Sequence, residues 1–319
     1  MTVTGLLLFS LLSLAAPDGS ASATEVAPPR LMDALTSVPA NIARATPALR
    51  ILNLRQACSG FFISNDGYFL TAAHCVKHIL PRIALHLQDG RDELSGTMAF
   101  SFFSRTPDLV LDPGDQGFLA QDIAPQKPQL VFAGEGFLVT YPSRDSLRRL
   151  PPDSAAWQWL RRWNDDFVIL KFSGQDFSCI PFNPPAAKPT ATVTLLGYSL
   201  LQPNRLGNHF YPRLYLSQAP SAPRQEEARR AMIGVYDRVF SDDSVDFVGA
   251  SILAGMSGGP VLNEHGLLLG VTTLGFAVDP TQASDRAGYV RVEKIRELLK
   301  ERFGEKDAGR FFSCHETYP

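Results

Sequence analysis

Three features of this sequence predict a mostly β architecture: many short apolar runs of strand length, Pro- and Gly-rich turns between them, and one helical period near the C-terminus. The composition is that of a globular protein, 45% hydrophobic and 19% charged over 319 residues, enough to bury a substantial core as one large unit or two domains. A net charge of -2 with no long run of either sign gives no footprint for nucleic acid or an anionic membrane surface.

The chain opens with an export signal. Leu6 to Ala16 is almost wholly apolar, and Ala21-Ser22-Ala23 has the small-x-small pattern of a signal-peptidase site. Residues 1–23 therefore read as a signal cleaved after Ala23, although no Lys or Arg precedes the apolar run. That run is well short of the ~20 residues that span a bilayer, and no later segment is long and apolar enough, so no stable membrane insertion is expected. Residues 24–50, rich in Ala, Pro and Thr, form an arm leading to a first strand at Ile51–Leu54. Ser59–Ser64 and Tyr68–Ala72 follow as strands, joined by the hairpin signal Asn65-Asp66-Gly67. Further strands are expected at Ile83–Leu87, Gln129–Phe132, Gly136–Thr140 and Phe167–Phe172. Between Arg91 and Arg162, prolines from Pro107 to Pro152 interrupt the pattern and imply long loops. A short helix near Asp153–Trp163 would carry Trp157, Trp159, Leu160 and Trp163 as packing residues.

Ile180 to Pro189 holds four prolines and reads as a crossover between domains. Strands resume at Ala191–Leu196, Arg213–Ser217, Val245–Gly249, Leu267–Leu274 and Gly288–Val292, with Gln225–Met232 helical and Asn263–Gly266 a hairpin turn. Asp242, Asp243 and Asp246 lack a regular calcium-ligand spacing and read as a solvated loop. Val292, Ile295, Leu298, Leu299 and Phe303 fall on one face of a helix over Val292–Phe303.

Chemistry is signalled by Gly255-Met256-Ser257-Gly258-Gly259-Pro260. A serine among glycines and before a proline belongs to a tight turn that leaves room for a ligand to approach the backbone. If the ligand is a carbonyl, the hydroxyl can attack it while nearby N–H groups hold the oxyanion. A base is offered by His74, at the end of the first hairpin. Cys58 precedes that hairpin and Cys75 follows it, so a bridge between them would pin its base, worth about 3 kcal/mol by loop entropy. Cys58, Cys75, Cys179 and Cys314 allow three pairings, fit an exported protein, and match no zinc spacing, so no metal is assigned. Asp166 leads directly into an apolar strand, where its charge needs a hydrogen-bonding partner, and a histidine Nδ1–H is suitable. Asp165 and Asp122 are the competing carboxylates.

In the order His, Asp, Ser, the segments around His74, Asp166 and Ser257 resemble the chymotrypsin/trypsin family of serine peptidases, over roughly Ile51 to Phe303. The resemblance implies two packed antiparallel β-barrels. The first would occupy residues 51–179 with long insertions, residues 180–190 would cross over, residues 191–303 would form the second barrel with its terminal helix, and residues 304–319 a tail. It implies His74 as general base and then acid, Asp166 orienting it, Ser257 as nucleophile, and the N–H groups of Gly255 and Ser257 as the oxyanion hole. Protein or peptide substrates follow, with no cofactor; the oligomeric state is left unassigned.

Departures from the family's pattern carry information. The interval from His74 to Asp166 is longer than usual, and Asp122 would fit the usual interval better. Met256 stands where the digestive members carry the aspartate that pairs with a freed N-terminus, and no Ile-Val-Gly-Gly-like start precedes Cys58. Maturation by signal removal without such a salt bridge is therefore expected. Met256 and the Ser64–Leu70 hairpin are closer to the glutamyl-endopeptidase-like and HtrA-like branches, although no PDZ-sized region follows the terminal helix. Cys179 and Cys314 remain for a second bridge. Ser251 lies where trypsin-type enzymes carry a carboxylate, and Thr273-Leu274-Gly275 resembles the strand that pairs with substrate, which implies an uncharged side chain before the cut. A silent homologue that binds proteins through the same cleft is the alternative. The α/β-hydrolase order Ser, Asp, His is absent.

Overall fold

The computed structural model describes residues 31–33, 38–51, 56–76, 109–112, 128–134, 165–183, 192–206, 209–220, 245–275 and 287–314. The expected export signal, Asp122, Asp242, Asp243, the strands expected at Ile83–Leu87 and Gly136–Thr140, and the helices expected near Asp153–Trp163 and Gln225–Met232 lie outside them.

The described residues are mostly strand. In chain order these are β1 (Leu31–Asp33), β2 (Ala48–Ile51), β3 (Gln56–Ser59), β4 (Phe61–Phe62), β5 (Tyr68–Thr71), β6 (Leu109–Asp112), β7 (Gln129–Ala133) and β8 (Val168–Lys171). Then come β9 (Thr192–Leu206), β10 (His209–Pro220), β11 (Val245–Val248), β12 (Pro260–Leu262), β13 (Leu268–Gly275) and β14 (Ala287–Arg291). Helices are α1 (Ala40–Ala45), α2 (Ala73–Val76), α3 (Val292–Phe303) and α4 (Glu305–Phe311). The first half supplies sheets ordered β3-β2-β6 and β4-β5-β8-β7, and the second a seven-stranded sheet ordered β1-β10-β9-β12-β13-β14-β11. Every strand pairing is antiparallel. The mostly β class and the C-terminal helix are as expected. Among the described residues the second half is a half-barrel sheet, and the strand order does not extend to two closed barrels.

Strand periodicity explains the packing. Successive side chains point to opposite faces, and here both faces are dry. Phe61, Leu70 and Ile169 enter one apolar cluster, while their neighbours Phe62, Phe69, Val168 and Leu170 enter another. The second half does the same, with Leu196, Tyr198, Leu216 and Val290 facing the first cluster and Val193, Leu195, Tyr215 and Tyr289 facing a third. One core is thus shared between the halves, and each half keeps its own on the far side. Double burial is why Phe167–Leu170 reads as an unbroken apolar run, ended by the partly exposed Lys171.

Both ends of the chain are built into this frame. The arm does more than lead to a strand: β1 pairs with β10, and Ile42, Ala43 and Ala45 of α1 are buried in the shared core. α3 spans the expected residues, buries Val292, Ile295 and Leu299, and stops at Gly304, whose φ of 83° suits a glycine terminator. The tail continues as α4, burying Ala308 and Phe311. β9 and β10 run far beyond the expected strands because they pair with each other, and the register shift between Tyr211 and Arg213 absorbs Pro212, which has no N–H to donate. No helix among the described residues is long and apolar enough to cross a membrane.

Candidate active site

The His74 side is set by one hairpin and one neighbouring strand. Ile63 donates its N–H to Tyr68 at 2.8 Å, and Gly67, at φ 91°, closes the turn from β4 to β5. β5 pairs with β8 so that Thr71 faces Val168. The two strands run antiparallel, so the end of β5 meets the start of β8. His74, three residues after Thr71, thereby meets Asp166, two residues before Val168. The Asp166 carboxylate accepts two bonds from one residue: His74 N–H at 2.9 Å on Oδ1 and ring Nδ1 at 2.7 Å on Oδ2. Asp166 is 3% exposed, so this grip satisfies a charge that water does not reach. The His74 side chain is 16% exposed, which leaves part of the ring open to a ligand. Asp165 sits a step back, its carbonyl accepting from Phe167 N–H at 2.8 Å.

The Cys58–Cys75 bridge is present, as is Cys179–Cys314. Cys58, His74 and Cys75 have potential ligand atoms within 4.8 Å of one another, but the two sulfurs are bonded to each other and offer no thiolate to a metal.

The Ser257 side is a backbone construction. Ser257 lies on the turn between Ile252 and β12, and its carbonyl docks on the first half: Ser59 N–H donates to it at 2.8 Å, and the Cys75 sulfur touches it at 3.7 Å. The residue after His74 is therefore in contact with the backbone of Ser257. Gly258, at φ 86°, comes so close that a Cβ would overlap Ser59 O and Thr71 Oγ1. Met256 is fully buried, its sulfur accepting from Leu253 N–H at 3.3 Å, and a Cβ on Gly197 would meet its Cα at 2.7 Å. Three N–H groups of the turn are committed: Met256 to Leu253 O at 3.1 Å, Gly258 to Thr272 O at 2.6 Å, Gly259 to Met256 O at 3.0 Å. Among the described residues, the N–H groups of Gly255 and Ser257 donate to nothing.

Thr272, which takes the Gly258 bond, continues directly into Thr273, Leu274 and Gly275 of β13. A register shift between Thr272 and Leu274 leaves Thr273 at a bulge, and Leu274 and Gly275 pair with Gly288 and Ala287. Ser251 and Thr273 are buried, at 6% and 4% exposure. Sequence reasoning missed Ser59, Thr71 and Ser199. The Thr71 hydroxyl donates to Ser59 O at 2.7 Å, the Ser59 hydroxyl to Gly255 O at 2.9 Å, and the Ser199 hydroxyl to Ala254 O at 2.8 Å. Small hydroxyl residues on strands carry no local signal for such long-range bonds.

A family model described as trypsin-like peptidase domain matches residues 58–271. Among solved structures, the chain is similar to the active form of the Rv3671c protease from M. tuberculosis, at 18% identity and a TM-score of 0.42, covering 90% of this chain and 93% of that one. It is similar to the serine endoprotease from Yersinia pestis at 17% identity and a TM-score of 0.41, covering 84% of this chain and 65% of that one. It is also similar to the HtrA-type protease AlgW, solved with a tripeptide, at 15% identity and a TM-score of 0.43, covering 84% of this chain and 62% of that one. No curated protein matches the chain.

Proposed function

Since this chain belongs to the trypsin-like peptidase domain family, we propose that it is a serine endopeptidase cutting proteins through His74, Asp166 and Ser257. The observation that carries the reading is the double grip of Asp166 on His74. With Nδ1–H committed to the carboxylate, the ring is held in the tautomer whose Nε2 accepts a proton. Ser257 Oγ then attacks the scissile carbonyl carbon as its proton passes to Nε2. The carbonyl oxygen becomes an oxyanion, held by the two uncommitted N–H groups of Gly255 and Ser257. Collapse breaks the C–N bond, and the departing amine takes the proton from His74. A water, deprotonated by the same nitrogen, then hydrolyses the acyl-enzyme. Asp166 stays ionised throughout.

Three finer readings go with this one. The buried, uncharged Ser251 and Thr273, with Leu274 and Gly275 following on β13, support an uncharged side chain before the cut. The two disulfides are compatible with an extracytoplasmic site of action, reached through removal of residues 1–23. Activation by a cut near residue 50 is disfavoured, because it would sever α1 and its buried residues from the shared core.

A fluorophosphonate probe tests the reading. The full-length secreted protein is expected to be labelled and to hydrolyse casein, Ser257→Ala is expected to do neither, and the labelled species should begin near Thr24. Failure of the wild type to label would favour a silent, protein-binding homologue.

A further inference from the structure

The nucleophile turn is held by its carbonyls. Ala254 O accepts from Ser199 Oγ, Gly255 O from Ser59 Oγ, Met256 O from Gly259 N–H, and Ser257 O from Ser59 N–H. A trans peptide points its C=O and N–H in opposite directions, so tethering the oxygen also aims the hydrogen. Two of these four units have a second hold. The Gly255–Met256 unit is fixed on its other edge by Met256 N–H to Leu253 O, and the Ser257–Gly258 unit by Gly258 N–H to Thr272 O. The Met256–Ser257 unit has only its carbonyl held, by the backbone bond from Gly259 N–H within the turn itself.

The Ala254–Gly255 unit is different. Its N–H, like that of Ser257, donates to nothing among the described residues, and its carbonyl is held there by a side chain and no backbone group, so the Ser199 hydroxyl is the tether that aims it. Gly255 has φ 99° and no Cβ, so rotation of this unit meets little steric resistance. Ala254 is exposed and adds no packing to oppose the rotation. Ser199, by contrast, is fully buried on β9, a strand held on both sides by β10 and β12. A fixed hydroxyl thus sits behind the one peptide of the turn whose N–H is uncommitted and whose carbonyl is held by a side chain.

We propose that Ser199 is a positioning residue that aims the Gly255 N–H into the oxyanion site, with Ser59 steadying the next peptide. This rests on Ser257 being the nucleophile. An uncharged hydroxyl-to-carbonyl latch, present in the single folded chain, keeps the oxyanion site formed without a freed N-terminus. Met256 offers no carboxylate for such an ion pair, and its burial leaves no room beside it for a charged group.

The test compares Ser199→Ala with Ser59→Ala in the full-length, disulfide-intact protein, using the fluorophosphonate probe and thermal unfolding. In Ser199→Ala the phosphonylation rate at saturating probe is expected to fall about tenfold to hundredfold. That is less than the roughly 10²–10³ lost when an oxyanion donor is removed outright, because here the donor remains and only its aim is lost. Half-saturation by the probe should stay within about twofold, since ground-state binding does not use the oxyanion donors. Ser59→Ala should slow the reaction less but lower the thermal midpoint more, because its hydroxyl also accepts from Tyr198 N–H at 2.7 Å in the core. A merely structural role would make both rates follow stability. Wild-type rate in Ser199→Ala, or rate losses that track the midpoints across the two variants, would overturn the proposal. Absence of labelling in the wild type, or labelling that persists in Ser257→Ala, would remove the peptidase reading and the latch with it, an outcome distinct from failure of the latch alone.

Discussion

The two sides of the site are held by different forces. On the side of His74, the proposed base, a disulfide pins the hairpin and a buried carboxylate grips one histidine at two atoms. On the side of Ser257, the proposed nucleophile, no side-chain charge is involved among the described residues: glycines at φ 99° and 86°, a buried methionine and hydrogen bonds to carbonyls define the turn. The difference follows from what each side must control. A base must present one protonation state, and a charge is the strongest lever on a proton. An oxyanion site must present peptide dipoles in one direction, and dipoles are aimed by tethering their other ends. The sides meet at Ser59, whose backbone and side chain both bond the turn.

Breaking the charged grip should have the largest effect. Asp166→Asn keeps the shape of the side chain but presents an amide to groups that donate, so His74 loses its tautomer. A fall in kcat of about 10⁴ is expected with the fold intact, as in other His-Asp-Ser sites. Single-turnover kinetics on a fluorogenic peptide together with circular dichroism would check it, and a loss under tenfold would count against Asp166.

The two bridges sharpen the comparison. Cys179–Cys314 spans 135 residues and Cys58–Cys75 spans 17, so loop entropy assigns them about 5 and about 3 kcal/mol. Replacing the long pair with serine should cost more stability in urea titrations yet leave the kcat of the folded enzyme near wild type. Replacing the short pair should cost less stability but lower kcat, because that bridge touches the Ser257 carbonyl and flanks His74. Equal kcat in both variants would mean that the hairpin holds the base without covalent help.

The smallest effect lies away from the site, on α3. Burial pushes the Glu293 carboxyl above the usual glutamate range, with Asp246 and Glu297 adding repulsion against the pull of the helix N–H and Arg291. An acid whose folded pKa is raised contributes stability below its unfolded pKa and loses it as pH rises through the folded value. Glu293→Gln should therefore raise the thermal midpoint at neutral pH, with the gain vanishing below about pH 4. The pH profile of kcat/KM should not change, which separates this stability effect from the proposed chemistry.

Much of the site was legible because its parts are locally encoded. The turn glycines, the hairpin signal Asn65-Asp66-Gly67 and the polar-to-apolar step at Asp166 each state a conformation within a few residues. α3 was legible to its last residue because five apolar positions share one helical face and Gly304 follows. The arm was not legible: Leu31–Asp33 carries no strand signal of its own, and its partner β10 lies almost two hundred residues away. The long β9–β10 pair was obscured by Pro203 and Pro212, which the structure tolerates through irregular register. Ser59 and Ser199 look like ordinary small residues until their strands are placed.

By itself the sequence determined which residue types can do chemistry and what local backbone carries them, because turns, caps and periodicity are short-range properties of the chain. The tertiary structure alone decided that β5 and β8 run antiparallel in the register that brings His74 to Asp166. It alone also decided that hydroxyls on β3 and β9 reach the carbonyls of the nucleophile turn. Register and reach depend on how two buried faces pack against a shared core, and that is a property of the whole chain at once.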